Sequence, residues 1–113
     1  VAEVNELLLE IAVEMLMENA VESIEDKGEP GSVRVKCSQS NGRIYVRISD
    51  TGSGIDRQVL DSLFHSQVAS KRGHGFGSLT AASVIRVYGG DVRVVRTGLE
   101  GAEVEFDLPA AQT

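Results

Sequence analysis

Apolar residues recur with helical spacing through the first quarter of the chain. They fall at Val4, Leu7, Leu8, Ile11, Ala12, Met15, Leu16, Ala20 and Ile24. Acidic residues occupy the opposite side of the same helical projection, at Glu6, Glu10, Glu14, Glu18 and Glu25. The pattern predicts one amphipathic helix over residues 4–26, which ends at the helix breakers of residues 27–31.

Two later parts of the chain alternate apolar and polar residues, as half-buried strands do. The first has apolar residues at Val33, Val35 and Cys37 and again at Ile44, Val46 and Ile48. Asn41-Gly42 between these runs favours a two-residue hairpin turn, because both positions accept positive φ. A second hairpin is predicted to pair Val92 and Val94 with Ala102, Val104, Phe106 and Leu108 across a turn at residues 98–101. Its outward residues, Arg93, Glu103, Glu105 and Asp107, are predicted to form a charge-paired solvent face.

Between the hairpins the pattern predicts two shorter helices and a loop. The helices are expected at about residues 56–63 and 77–88, and the polar segment 65–76 has no regular period and is expected to be a mobile loop. The order helix, hairpin, helix, loop, helix, hairpin indicates an α+β fold. We expect a two-layer sandwich with the helices on one face of a mainly antiparallel sheet.

Composition narrows the class of protein. The chain has 113 residues and a net charge of −6, with scattered basic residues, which argues against a nucleic-acid surface. One cysteine, Cys37, excludes a disulfide framework and favours a reducing compartment; its alternating position predicts a small buried side chain. No apolar run approaches the roughly 20 residues that cross a bilayer. The chain begins at Val1, almost at once in a helix, as a domain cut from a longer protein would.

Two polar residues stand where apolar ones would be expected. Asn19 projects onto the apolar side of the first helix, near Leu8 and Ala12. An amide there is either a structural hydrogen-bonding group or a neutral oxygen ligand for a cation such as Mg²⁺. Asp50 ends a strand directly before Thr51-Gly52-Ser53-Gly54. That segment is either turn chemistry or a carboxylate placed to accept a hydrogen bond from an exocyclic amine such as that of adenine.

A second glycine cluster lies in the polar loop. Lys71 and Arg72 precede Gly73, Gly75 and Gly77, and a helix begins beside Ser78. Backbone amides at a helix start, with cations nearby, favour phosphate binding; the alternative is a flexible surface loop. Neither His65 nor His74 has a metal-ligand spacing, and Phe64 is expected to pack the base of the loop rather than to contact a ligand.

Taken together these motifs resemble the ATP-binding catalytic domain of sensor histidine kinases, in the superfamily that includes DNA gyrase B, MutL and the large heat-shock chaperones. The resemblance covers nearly the whole chain. Its four boxes occur in the family's order, at Glu18-Asn19-Ala20-Val21-Glu22, at Asp50-Thr51-Gly52-Ser53-Gly54-Ile55, at Leu63-Phe64 with Ser70-Lys71, and at Gly73-His74-Gly75-Phe76-Gly77. Tyr88-Gly89-Gly90 and the closing strand at residues 103–109 are also similar. The resemblance implies the Bergerat-type sandwich over residues 1–113.

The resemblance also implies a cofactor and a set of binding residues. ATP and Mg²⁺ are the expected cofactors, with Asn19 as the Mg²⁺ ligand and Asp50 holding the adenine amino group. The adenine pocket is expected at Gly52, Gly54 and Ile55, and the ATP lid at residues 64–77, with Lys71, Gly73, Gly75 and Gly77 near the phosphates. No acid or base of the reaction is assigned within the chain.

The implied activity is transfer of the γ-phosphoryl group to a histidine on a separate dimerisation domain, and from there to a response-regulator receiver domain. The resemblance implies a cytoplasmic domain of a sensor that can itself be membrane-bound, without contacts of this domain to membrane or nucleic acid. Met15 stands where the hydrolysing relatives carry a glutamate, which predicts slow hydrolysis.

Three alternatives remain beside the kinase. One is a non-catalytic nucleotide-binding module, because Glu22 is acidic where many kinases have a cation. Another is a superfamily ATPase or an anti-sigma serine kinase. The third is an aspartic protease, since Asp50-Thr51-Gly52 is also the protease signature; the long helix contradicts the nearly all-β chain that a protease requires.

Overall fold

The computed structural model describes residues 6–55, residue 64 and residues 77–110. The elements follow in the order α1 (Glu6–Lys27), β1 (Val33–Ser40), β2 (Arg43–Asp50), α2 (Gly77–Val87), β3 (Asp91–Gly98) and β4 (Gly101–Pro109). Both predicted hairpins and the long first helix are confirmed, and the helix predicted at 77–88 ends at Val87. The helix predicted at 56–63 and the loop at 65–76 lie outside the described residues.

The four strands form one antiparallel sheet in the order β1-β2-β4-β3. The first hairpin turns at Asn41 and Gly42, whose φ angles are 52° and 75°, as a turn with two positive φ angles requires. The central pair is β2 with β4, in a register that sets Asp50 opposite Ala102. The end of β2 therefore lies in the middle of the sheet, which fixes the position of whatever follows Asp50.

The core lies between the helices and one face of the sheet, as the sandwich prediction requires. Small side chains at Ala12 and Ala20 of α1 and at Ala81 and Ala82 of α2 are buried, so the two helices can approach closely. Phe106 is 2% exposed and fills the space between them and the sheet. The other buried apolar residues of this cluster are Leu16, Ile48, Phe64, Ile85, Val92 and Leu108.

The outer face of the sheet carries a lattice of charges. The acids of β4 stand between the arginines of β2 and β3, in the pairs Arg43–Asp107, Arg47–Glu103, Arg47–Glu105, Arg93–Glu105, Arg93–Asp107 and Arg96–Glu103. This confirms the predicted charge-paired face. Burial opposes ionisation of Asp107, but hydrogen bonds from Arg93 and Arg43 outweigh it and hold the pKa of this carboxyl below its usual value.

A bulge in β3 was not anticipated from the sequence. Val94 lies opposite Val104 while Arg96 lies opposite Glu103, so Val95 is an extra residue on its strand. The insertion exchanges inward and outward positions beyond Val94. Arg96 consequently reaches the outer charged face, and Thr97 turns to the inner side of the sheet, where it contacts the segment after β2.

The prediction that Cys37 is buried is wrong. Cys37 is exposed, and so is the whole of β1 after Val33. The alternating pattern correctly gives the face of the sheet on which Val35 and Cys37 lie, because they pair with the inward-facing Ile48 and Val46 of β2. However, β1 is at the edge of the sheet that the described residues form, and the helices pack against this sheet away from that edge. The alternation of apolar and polar residues determines on which face of the sheet a side chain lies, but not whether other elements cover that face.

Candidate functional site

The carboxylate of Asp50 is held at the end of β2 by two hydrogen bonds to one of its oxygens. The backbone amide of Gly52 donates to Oδ1 at 2.8 Å, and the hydroxyl of Ser23 donates to the same oxygen at 3.3 Å. Asp50 is only 8% exposed. One oxygen therefore fixes the orientation of the carboxylate within the protein.

The second oxygen of Asp50 is differently placed. No group in the described part of the chain donates a hydrogen bond to Oδ2, and no buried side-chain oxygen or nitrogen in that part lacks a partner. Oδ2 is therefore accessible from the surface. A buried carboxylate with one oxygen fixed and the other accessible is suited to accept one hydrogen bond from an amine donor.

The turn after Asp50 packs directly on α1. A methyl group built on Gly52 would lie 2.6 Å from the backbone nitrogen of Ile24, so only glycine fits at this position. Besides its bond to Asp50, Ser23 makes two bonds to this turn: its carbonyl accepts from Ser53 N at 3.0 Å, and its hydroxyl accepts from Gly54 N at 3.2 Å. Helix α1 thus fixes the shape of the turn.

The other side of the turn is held by the second hairpin. Ile55 N donates to Thr97 Oγ1 at 2.8 Å, and Gly54, with φ of 82°, lies against the carbonyl oxygen of Gly98. Thr51 is tied to the start of β1, since its Oγ1 accepts from Ser32 N at 2.9 Å. Residues 51–55 are consequently a rigid platform between α1 and β3.

Asn19 lies one helical turn before Ser23 on the same face of α1. The spacing places it about 6 Å along the helix axis from the residue that contacts Asp50. Asn19 is half-buried, between the buried Leu16 and Ala20. The two site residues predicted from separate motifs, Asn19 and Asp50, are therefore brought to the same end of the α1–β2 contact.

Glu14 is the glutamate nearest to Met15, which stands where the hydrolysing relatives carry their catalytic glutamate. Its side chain faces away from the core. Glu14 is exposed, while the adjacent Met15 is half-buried and packs against the core. This confirms the prediction that Glu14 points toward solvent. Among the described residues no group of three or more His, Cys, Asp or Glu side chains is placed to hold a metal ion.

Phe64 has the predicted packing role. It is 5% exposed and belongs to the core cluster, and its carbonyl accepts from Arg86 Nη1 at 2.8 Å. Arg86 also bonds through Nε to Asp91 Oδ1 at 3.0 Å. Of the other predicted residues, Ile55 lies in the platform and Gly77 is the first residue of α2, whereas Lys71, Gly73 and Gly75 lie outside the described residues.

Ser23 and Thr97 were missed as site residues. Ser23 has a signal in retrospect, because it follows Asn19 by four positions and so shares its helix face. Thr97 had none, because the bulge at Val95 decides which side of the sheet it occupies.

The neutral amide oxygen of Asn19 is by itself too small a donor set for an all-protein metal cage, and the accessible oxygen of Asp50 is suited to an amine donor rather than to the cation. Mg²⁺ accepts such a set when phosphate oxygens supply its other ligands. The residues thus fit a nucleotide-bound Mg²⁺, which would be held by Asn19 together with phosphate.

The described residues form a four-stranded antiparallel sheet with two helices on one face, and this arrangement matches the fold of solved histidine-kinase catalytic domains. The family model described as "Histidine kinase-, DNA gyrase B-, and HSP90-like ATPase" matches residues 4–112, and the chain belongs to this family. No helix among residues 6–55 and 77–110 has the length and apolarity to cross a membrane.

Individual relatives agree with this assignment. The C4-dicarboxylate transport sensor protein DctB of Rhizobium meliloti is 32% identical over 108 residues, which cover 95% of this chain and 17% of DctB. The sensor protein FixL of Bradyrhizobium diazoefficiens is 32% identical over 97 residues, covering 85% of this chain and 19% of FixL. The chain thus spans about a fifth of the length of these curated relatives.

Solved structures show the same fold. The mycobacterial sensor histidine kinase MprB superposes with a TM-score of 0.80 at 26% identity, over 96% of this chain and 74% of that one. Full-length ShkA in complex with AMPPNP superposes with a TM-score of 0.79 at 27% identity, over 94% of this chain and 22% of that one. The histidine kinase-type ATP-binding domain predicted from the motifs is confirmed.

Proposed function

We propose that this domain binds Mg-ATP and donates the γ-phosphoryl group to a histidine on a separate dimerisation domain of a sensor kinase. The observation that carries the proposal is the Asp50 carboxylate, oriented by Gly52 and Ser23 through Oδ1, with Oδ2 accessible. This is the arrangement needed to accept a hydrogen bond from the amino group of adenine. The names of the relatives do not support the alternatives, which are a non-catalytic module and an anti-sigma serine kinase.

The residues of the site have distinct roles in this proposal. Asp50 selects adenine, and Gly52, Gly54 and Ile55 form the surface on which the base lies. The amide oxygen of Asn19 holds Mg²⁺ against the phosphates, where the cation screens phosphate charge. Residues 64–77 form the ATP lid, with Lys71 and the backbone of Gly73, Gly75 and Gly77 contacting the phosphates. The domain itself would comprise residues 1–113.

Among the described residues of α1, Met15 stands where the hydrolysing relatives carry a glutamate, and this favours transfer over hydrolysis. Hydrolysis requires a group that orients or deprotonates water, which contributes typically 10²–10⁴-fold to the rate. Met15 cannot accept a proton, and Glu14 is exposed on another side of α1. We infer that the imidazole nitrogen of the partner's histidine attacks the γ-phosphorus. The bond to the β-phosphate oxygen breaks, ADP leaves, and the imidazole proton passes to a base on the partner. A receiver domain then takes the phosphoryl group.

A phosphotransfer assay tests this proposal. The domain is incubated with γ-labelled Mg-ATP, with and without the histidine-bearing dimerisation domain encoded with it. Label that is acid-labile and alkali-stable should appear on the dimerisation domain, while the domain alone releases phosphate slowly. At an ATP concentration close to the Kd of the parent, Asp50→Asn should strongly reduce labelling, whereas the exposed Asp26→Asn should not. Rapid phosphate release by the domain alone, lost in Glu14→Gln, would identify an ATPase instead.

A further inference from the structure

The proposed adenine site leaves one atom of the base without a partner. The Watson–Crick edge of adenine presents two neighbouring groups, an amino group that donates a hydrogen bond and the ring nitrogen N1 that accepts one. When the amino group donates to Oδ2 of Asp50, N1 lies beside the same carboxylate. An acceptor that is enclosed there without a donor lowers the affinity for the base. The site therefore needs a hydrogen-bond donor for N1.

The backbone of the platform, residues 51–55, cannot supply this donor. All five of its N–H groups bond within the protein, at distances between 2.8 and 3.2 Å. In chain order the bonds run from Thr51 N to Ser32 O, from Gly52 N to Asp50 Oδ1, from Ser53 N to Ser23 O, from Gly54 N to Ser23 Oγ and from Ile55 N to Thr97 Oγ1. The donor for N1 must therefore be a side chain.

Ser23 carries the side-chain donor that lies next to Asp50. Among residues 6–55, 64 and 77–110, its hydroxyl is the one side-chain group that donates to this carboxylate. Ser23 is half-buried directly beneath the turn, since a methyl group built on Gly52 would collide with Ser23 Oγ. The hydroxyls of Thr51 and Thr97 bond instead at the two sides of the platform, to Ser32 N and Ile55 N. Ser23 is consequently the side chain placed to reach N1.

The hydrogen of the Ser23 hydroxyl can turn from Asp50 to a bound base. Its bond to Oδ1 of Asp50 measures 3.3 Å, longer than the usual length of about 2.7–2.8 Å for a hydroxyl donor. When the hydrogen turns, Oδ1 keeps its bond from Gly52 N at 2.8 Å. Gly54 N donates to one lone pair of Ser23 Oγ at 3.2 Å and so holds the oxygen in place. A fixed oxygen with a weakly bonded hydrogen is suited to donate to an added acceptor.

We propose that the hydroxyl of Ser23 donates a hydrogen bond to N1 of adenine while Oδ2 of Asp50 accepts from the amino group. The two residues then recognise adjacent groups of the base, Ser23 the acceptor and Asp50 the donor. This inference rests on the proposed function. It makes Ser23 a residue that contacts the nucleotide, in addition to its bond to Asp50 in the structure.

An ATP analogue that lacks only N1 tests the inference on the parent domain. In 1-deaza-ATP a C–H group replaces N1, and in 7-deaza-ATP, the matched control, the same replacement is made at N7, away from the Watson–Crick edge. Calorimetric titration with Mg²⁺ present should give a Kd for 1-deaza-ATP about five- to tenfold above that for ATP, as expected when one hydrogen bond between neutral groups is lost. The Kd for 7-deaza-ATP should equal that for ATP.

Variants of Ser23 separate contact with the base from an effect through Asp50. Ser23→Ala should bind ATP and 1-deaza-ATP with equal affinity, because the hydrogen that distinguishes them is gone. Ser23→Thr keeps a hydroxyl and should keep the preference for ATP. If Ser23 acted only by positioning Asp50, Ser23→Ala would bind both nucleotides more weakly and would retain the preference of the parent. Ser83→Ala, which removes a hydroxyl bonded to Leu79 O on α2, is the control and should also retain it.

Three results would overturn the inference while leaving the proposed function intact. They are equal binding of ATP and 1-deaza-ATP by the parent, equal losses with the two deaza analogues, and a preference for ATP that persists in Ser23→Ala. The last result would assign N1 to another donor, such as a bound water. A parent domain that binds no adenine nucleotide would contradict the proposed function itself, and the inference with it. The measurement on the parent needs no variant, so it decides the question even where a variant does not fold.

Discussion

The hydroxyl of Ser23 lies 3.3 Å from Oδ1 of Asp50 and 3.2 Å from the amide nitrogen of Gly54. It donates to the first and accepts from the second. One side chain on α1 therefore positions both the carboxylate at the end of β2 and the glycine turn that follows it. Because Asn19 lies one turn away on the same helix, the arrangement links the two motifs of the proposed nucleotide site.

We predict that Ser23→Ala weakens ATP binding while the fold is retained. Loss of both hydroxyl bonds leaves Gly52 N, at 2.8 Å, to hold Oδ1 of Asp50 without Ser23, so the carboxylate is less firmly oriented. It should also lower the free energy of unfolding by about 1 kcal/mol. Calorimetric titration with ATP and urea unfolding measure the two effects. Ser83→Ala is the matched control, since the Ser83 hydroxyl bonds only to the carbonyl of Leu79, at 2.8 Å on the exposed side of α2. Unchanged ATP affinity in Ser23→Ala would contradict the positioning role.

We predict that Gly52→Ala destabilises the domain by about 1–3 kcal/mol, because its methyl group would collide with backbone atoms of α1 that cannot move independently. The added carbon would stand 2.6 Å from Ile24 N. Gly98→Ala is the control, because a methyl group there meets nothing within 4 Å. Urea unfolding of both variants gives the comparison. Equal stabilities would show that the turn does not pack on α1 as described.

The hairpins show which structural features can be predicted from local sequence patterns. Asn41-Gly42 and the acids of β4 specify local geometry and pairing that need no knowledge of the rest of the molecule, and both predictions are confirmed. The burial of Cys37 depends on what covers β1, which is a property of the assembled sandwich. Exposure of an edge strand cannot be obtained from alternation alone.

The residues of the candidate site also divide into those that the sequence pattern indicates and those that only the packing of the fold reveals. Asp50 and Asn19 stand out because each is a polar residue in an apolar pattern. Ser23 does not stand out, since a serine near the end of a helix is ordinary, and its role depends on the close approach of the turn at Gly52. The contact of Thr97 with Ile55 depends on the bulge at Val95. Two adjacent apolar residues such as Val94 and Val95 do not by themselves predict a bulge.

We predict that acid destabilises the domain through the charge lattice of the outer sheet face. Burial acts to raise the pKa of Asp107 and of Glu105, but hydrogen bonds from their arginines outweigh it and lower both pKa values. A carboxyl with a lowered pKa in the folded state contributes stability above its unfolded pKa, about 4, and loses it as pH falls through the folded value. Urea unfolding as a function of pH should show stability falling below about pH 4.

Asp107→Asn should be less stable than the parent at neutral pH and should show a shallower fall in acid. The control is Glu100→Gln, an exposed carboxyl in the turn between β3 and β4, which should follow the parent. An acid transition as steep in Asp107→Asn as in the parent would show that the lattice does not govern it.

We predict that Phe64→Ala destabilises the domain by about 3–5 kcal/mol, as truncation of a buried aromatic side chain does. Phe64 is 5% exposed. The control variant is Leu99→Ala, because Leu99 is 90% exposed and should tolerate truncation. Phe64→Leu should keep the ATP affinity of the parent at a temperature where it is folded. A large loss of ATP affinity in a folded Phe64→Leu variant would instead indicate contact with the nucleotide.

The most direct test of the account is nucleotide selectivity at Asp50. The parent domain should bind ATP in preference to GTP, because Oδ2 of Asp50 accepts from an amino group but not from the carbonyl that guanine has in its place. Calorimetric titration of Asp50→Asn, with the exposed Asp26→Asn as control, should show loss of this preference. ATP binding should weaken roughly ten- to hundredfold, as expected when a hydrogen bond to a charged group, about 1.5–3 kcal/mol, is removed. If Asp50→Asn binds ATP as tightly and as selectively as Asp26→Asn does, the adenine site is not at Asp50.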